Sequence, residues 1–154
     1  MSASHLTPRR VRVLVVEDSR TQAALIAAIL DTDERLELLH ILEDGEQALA
    51  YLRREGAYED DARPDFVLLD LHLPKKDGIE VLHELKADAE LRSIPVVMLT
   101  SSDRQDDVLN CYAAGASSYI TKPVDQEGME RVLKLVSDYW GEANVPPQQR
   151  PLSS

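Results

Sequence analysis

Five short apolar runs recur along the chain, each followed by a segment with helical spacing. That alternation limits the fold more than any other feature. VRVLVV (Val11–Val16), LELLHIL (Leu36–Leu42), FVLLD (66–70), IPVVML (94–99) and SYIT (Ser118–Thr121) read as strands, short and mostly apolar or β-branched. Between them lie helical patterns. TQAALIAAIL follows Asp18 or Ser19 as its cap, and GEQALAYLRREG runs to Gly56. IEVLHELKAD places Ile79, Leu82 and Leu85 three apart, DRQDDVLNCYAAGA has Gly115 near its end, and DQEGMERVLKLVSDYW comes last. Strands alternating with helices predict an α/β fold, a single doubly wound parallel sheet with helices on both faces. No internal repeat or linker divides the series. The expected divisions are a flexible N-terminus over 1–10, one domain over 11–140 and a tail over 141–154. The tail, GEANVPPQQRPLSS, is rich in Pro and Gln and reads as disordered or as an exchanged arm.

In doubly wound sheets, ligands bind beyond the carboxyl ends of the strands. The residues at those ends are chemically selective. Glu17 and Asp18 follow the first run, Asp70 ends the third, Thr100 follows the fourth, and Lys122 comes just after the fifth. Three carboxylates crowded on one edge repel one another unless a cation or a basic side chain stands among them. Hard oxygen ligands without a Cys or His cluster suit Mg²⁺. Lys122 can meet a phosphoryl oxygen, and Thr100 can donate a hydroxyl hydrogen bond to another. This set suits phosphoryl transfer to a carboxylate, a step governed by positioning and charge neutralisation. Asp70 is the central candidate nucleophile, with Glu17 and Asp18 as metal-side acids.

Composition narrows the alternatives. The 28 acidic residues outnumber 17 Lys and Arg for a formal net charge of -11, which disfavours nucleic acid and anionic membrane as partners. A lone cysteine, Cys111, allows no intrachain disulfide, and no signal peptide or spanning segment is apparent, so a cytoplasmic location is expected. EDSRTQ stands where a dinucleotide-binding fold needs a Gly-rich loop. Cys111 reads as a packed small hydrophobe, and Asp77-Gly78 as a turn and helix start. Tyr139 and Trp140 end the last helix by packing or as an anchor to a second copy; with the tail they favour a homodimer.

VLVVEDS, LLDLHLPKKDG, VVMLTSS and YITKP, in that order, resemble the marks of the response-regulator receiver domain of two-component signalling. The resemblance implies the flavodoxin-like strand order 2-1-3-4-5 and Asp70 as the phosphorylated residue. It implies Mg²⁺ held by Asp18 directly, by Glu17 through water and by the backbone carbonyl of His72, with Asp70 completing the site. It makes Thr100 and Tyr119 a switch pair, Lys122 the family's lysine, and His72 and Ser102 the positions that tune loss of the phosphoryl group. It also implies a cis Lys122-Pro123 peptide. Narrower features, the acidic loop EGAYEDDARPD and the terminal YW followed by VPP, resemble stand-alone receivers paired with phytochrome-type sensor kinases. The expected partners are then a sensor histidine kinase, a downstream protein or phosphotransfer partner, and no DNA-binding output domain. An aspartate-nucleophile phosphohydrolase of the haloacid-dehalogenase type is the enzymatic alternative. Those enzymes need a second Asp two positions after the nucleophile, where this chain has His72.

Overall fold

The computed structural model describes residues 10–140, so the flexible N-terminus expected over 1–10, apart from Arg10, and the tail expected over 141–154 lie outside the described residues. The strands are β1 (Val11–Val16), β2 (Leu36–Leu42), β3 (Phe66–Leu69), β4 (Val96–Thr100) and β5 (Ser118–Thr121). The helices are α1 (Arg20–Asp31), α2 (Gly45–Leu52), α3 (Gly78–Ala87), α4 (Gln105–Ala113) and α5 (Gln126–Asp138). All neighbouring strands pair in parallel, in the expected order β2-β1-β3-β4-β5. Among the described residues no helix is long and apolar enough to cross a membrane.

Because successive side chains of a strand point to opposite faces, a continuous apolar run feeds two cores. Val13, Val15, Phe66, Leu68, Val97 and Leu99 pack under α1 and α5, against Ile26, Leu30, Met129, Leu133 and Trp140. Leu14, Val16, Val67, Leu69, Val96 and Met98 pack under the other helices, against Leu49, Leu82, Leu85 and Cys111. Each fully buried Leu, Val or Phe contributes roughly 1.5–3 kcal/mol of transfer free energy, so both faces are held firmly. Trp140 stacks on Phe66, ring centroids 4.9 Å apart and planes 10° from parallel. Of the two readings for the helix end, packing within the chain therefore holds for Trp140, while Tyr139 stays 54% exposed.

Several boundaries differ from the sequence pattern for local reasons. The helix expected to reach Gly56 stops at Leu52, because Arg54 adopts a left-handed conformation (φ 57°). The Glu55 and Arg54 amides then donate to the Ala50 and Tyr51 carbonyls at 2.9 and 3.0 Å, a Schellman ending with Arg in the place usually held by Gly. A 3-10 turn, Gly56–Tyr58, follows. Strand β4 begins at Val96 rather than Ile94, since Pro95 has no amide to donate. The Lys122-Pro123 peptide, expected cis, is trans, as are all the described peptides. The ordinary trans preference of an X–Pro bond, about 0.5–1 kcal/mol, prevails there.

Candidate functional site

Strand pairing runs one residue past the carboxyl ends of β1, β3 and β5, and this sets the side-chain phase of the site. The Glu17 amide donates to Leu42 O (2.9 Å), Asp70 N–H to Val16 O (3.1 Å), and Lys122 N–H to Thr100 O (2.8 Å). Glu17 is thereby in phase with Val15, Asp70 with Leu68 and Lys122 with Ile120, all on the α1/α5 side. Thr100 is in phase with Met98 on the other side, where Tyr119 also packs. The pleat sorts the acids and lysine from the Thr–Tyr pair.

Glu17, Asp18 and Asp70 each offer a carboxylate oxygen, and these lie within 4.8 Å of one another. Glu17 is buried and Asp70 is 8% exposed, whereas Asp18 faces solvent. The Lys122 side chain, 5% exposed, reaches past the end of β4 to place Nζ 3.1 Å from Asp70 Oδ2 and on Glu17 Oε1. The other Glu17 oxygen accepts the Ser19 amide at 3.0 Å. Burial raises the Glu17 pKa above its ordinary 4.5, and the Lys122 and Ser19 hydrogen bonds oppose the rise. One ammonium thus offsets part of the repulsion among three acids. Their clustered oxygens, one of them solvent-facing, fit a hard divalent cation that keeps some of its waters.

Sequence reasoning missed one member. Gln22, on the first turn of α1, accepts from Lys122 Nζ through its side-chain oxygen. No motif marks it. Its position follows from the Ser19 cap, whose hydroxyl accepts the Gln22 amide at 3.3 Å and fixes where the helix begins. Of the two cap candidates, Ser19 serves, leaving the Asp18 carboxylate to the acidic cluster.

The loop after β3 is braced on both sides. Asp77 and Glu80 form a reciprocal capping box at the start of α3. Gly78 donates to Leu71 O at 2.7 Å, and a Cβ there would stand 2.6 Å from the Asp70 carbonyl oxygen. Only a glycine lets α3 begin this close to the strand end. His72 is exposed in this loop. Lys75 takes a left-handed conformation (φ 67°), and the Lys76 amide closes a tight turn onto Pro74 O at 2.8 Å. Lys76 pairs with Glu84, and Lys75 lies 3.8 Å from Asp44.

Thr100 is fully buried at the end of β4, and its hydroxyl oxygen accepts the Ser102 amide at 3.4 Å. The Tyr119 hydroxyl donates to the Ser102 carbonyl at 2.7 Å. Burial raises the Tyr119 pKa above 10.0, and that hydrogen bond opposes the shift. The expected pair thus meets through Ser102.

The profile of the response regulator receiver domain matches residues 13–134. The chain is 40% identical to the response regulator Rcp1 of Synechocystis over 135 residues, 88% of this chain and 92% of that protein. The phosphorylated cyanobacterial phytochrome response regulator RcpA superposes with a TM-score of 0.86 at 38% identity, covering 90% of this chain and 99% of that one. The Mn²⁺-bound form of Rcp1 superposes with a TM-score of 0.83 at 40% identity, over 89% of this chain and 99% of that one. With its strand order, its acidic edge and this match over most of its length, the chain belongs to the response regulator receiver domain family.

Proposed function

We propose that this receiver accepts a phosphoryl group on Asp70 from a sensor histidine kinase of the phytochrome type, in the cytoplasm, and signals through phosphorylation-dependent partner binding or onward transfer. The observation that carries this reading is the cluster of Glu17, Asp18 and Asp70 oxygens within 4.8 Å, with Lys122 Nζ 3.1 Å from Asp70. The similarity to the phytochrome response regulator RcpA supports the kinase class.

The chemistry follows from the residues. Asp70 supplies the nucleophilic oxygen, and β3 presents it at the mouth of the sheet. Lys122 meets a phosphoryl oxygen, Thr100 donates its hydroxyl to another, and Tyr119 responds to that movement. Mg²⁺, held by Asp18, Asp70, the His72 carbonyl and, through water, Glu17, would neutralise charge on the transferring group. His72 and Ser102 occupy the two positions that tune loss of the phosphoryl group to water. Added phosphoryl charge then biases a two-state equilibrium of the α4–β5–α5 surface. A homodimer fits the exposed Leu135 and Tyr139 on that surface; sedimentation as a monomer at high concentration would count against it.

Incubation with acetyl phosphate and Mg²⁺, or with a phytochrome-type kinase, should label the wild-type protein and leave Asp70→Asn unlabelled. Equal labelling of that variant would refute the assignment, and transfer from other kinases but none from phytochrome-type ones would refute the partner class.

A further inference from the structure

Helix α4 is held differently from the other four. Ser19, Asp44, Asp77 and Asp125 cap α1, α2, α3 and α5 through side-chain oxygens, while Arg104, at the same position of α4, makes no side-chain cap. Helix α4 also buries a single residue, Cys111. What ties its first turn to the sheet is a side-chain pair: Ser102 Oγ donates to Asp107 Oδ2 at 2.5 Å, within the range of a charge-assisted O–H···O⁻ bond. The same Ser102 oxygen accepts the Arg104 amide at 3.4 Å.

Ser102 is also where Thr100 and Tyr119 meet. Its amide donates to the Thr100 hydroxyl oxygen, and its carbonyl accepts the Tyr119 hydroxyl. Accepting from Ser102 leaves the Thr100 hydroxyl proton free to be given to a third group. We propose that Asp107 is a positioning residue for phosphoryl uptake: through Ser102 it holds Thr100 ready to donate to the incoming phosphoryl group and Tyr119 docked beside it. The inference rests on Asp70 being the phosphoryl acceptor. In that step an Asp70 oxygen forms a bond to phosphorus while the donor's bond to phosphorus breaks, P–N in a kinase phosphohistidine or P–O in acetyl phosphate, and the leaving group departs with its electron pair. Asp107 touches none of these atoms. Its effect passes through the loop.

The test is the rate of Asp70 labelling by acetyl phosphate at saturating Mg²⁺ in full-length Asp107→Ala, Ser102→Ala, Asp107→Asn and the double variant Asp107→Ala/Ser102→Ala. Calorimetry would measure Mg²⁺ affinity in each. Loss of the tie should slow Asp107→Ala and Ser102→Ala by about 3- to 10-fold, the scale of one hydrogen bond. The double variant should be no slower than either single one, because both remove the same interaction. Asp107→Asn keeps an acceptor and loses the charge, so its rate should fall between those of wild type and Asp107→Ala. Mg²⁺ affinity should be unchanged throughout, since the acidic cluster stands apart from the tie. Wild-type rates in Asp107→Ala and Ser102→Ala would overturn the inference, as would Asp107→Asn behaving like Asp107→Ala. A labelled wild type beside variants that match it overturns this inference alone. An unlabelled wild type overturns the acceptor reading and this inference with it.

Discussion

Replacing Gly78 with Ala tests how tightly the acceptor loop is built. The added Cβ would stand 2.6 Å from the Asp70 carbonyl oxygen, 2.9 Å from Leu71 Cα and 3.1 Å from the Met98 methyl. The first two neighbours are backbone, and neither is free to move. Asp70 N–H is bonded to Val16 O, and Leu71 O accepts the Gly78 amide. To reach ordinary contact at 3.4 Å the start of α3 must retreat by about 0.8 Å. That shift pulls Val81, Leu82 and Leu85 from the core and stretches the 2.7 Å bond to Leu71. Overpacking of this kind destabilises by about 1–3 kcal/mol, and alanine's smaller unfolded-state entropy returns about 0.4–1 kcal/mol. The net loss is about 1–2 kcal/mol, or about 2–8 °C in Tm for a domain of this size. The displacement acts on the carbonyl side of Asp70, so labelling by acetyl phosphate should slow as well. Gly56→Ala is the control. No atom lies within 4 Å of its Cβ, but its φ of +59° strains any L-residue. It should cost about 1 kcal/mol and leave labelling unchanged. Thermal melts and labelling rates on the three proteins decide the matter. A Gly78→Ala protein with wild-type Tm and rate, or a Gly56→Ala protein with slowed labelling, would refute the reasoning.

Three further outcomes follow from other parts of the molecule. Burial pushes the Cys111 thiol up to about 11 and leaves it fully enclosed; in native protein at pH 8 it should react with a disulfide reagent only as fast as the chain opens, and at once after unfolding in urea. Hydrogen bonds from Arg35 hold Asp33 and Asp138 below the ordinary carboxylate value of 3.8 and join the start of β2 to the end of α5. Because these folded-state pKa values are depressed, the stabilisation is present above pH 3.8 and is lost as pH falls through them. The difference in Tm between wild type and Arg35→Ala should therefore be full above that pH and close below it. Trp140→Ala removes the ring stacked on Phe66 and should lower the unfolding free energy by about 3–5 kcal/mol in urea titration, while Tyr139→Ala, which removes only a half-exposed ring set edge-on to Trp140, should lower it by about 0.5–1.5 kcal/mol.

The strand runs, the helix between each pair and the residues at the strand ends are all legible along the chain, since apolar period and turn chemistry are local properties. FVLLD shows both halves of its role at once, an anchored strand and a charge where it leaves the core. The partners of those charges are another matter. Lys122 finds Glu17 and Gln22 from about a hundred positions away, and nothing in either neighbourhood announces the pairing. Strand order brings the ends of β1, β3 and β5 to one edge, and the pleat turns Glu17, Asp70 and Lys122 to the same side of it. Where a helix stops is similarly a matter of backbone conformation, as Arg54 shows in the place of the glycine that the pattern suggests. The cis peptide implied by family resemblance gave way to an ordinary trans bond. Residue types thus set which chemistry the sheet edge can host. Packing sets which groups face one another, because contacts between distant segments depend on how whole layers stack and on no local signal in the chain.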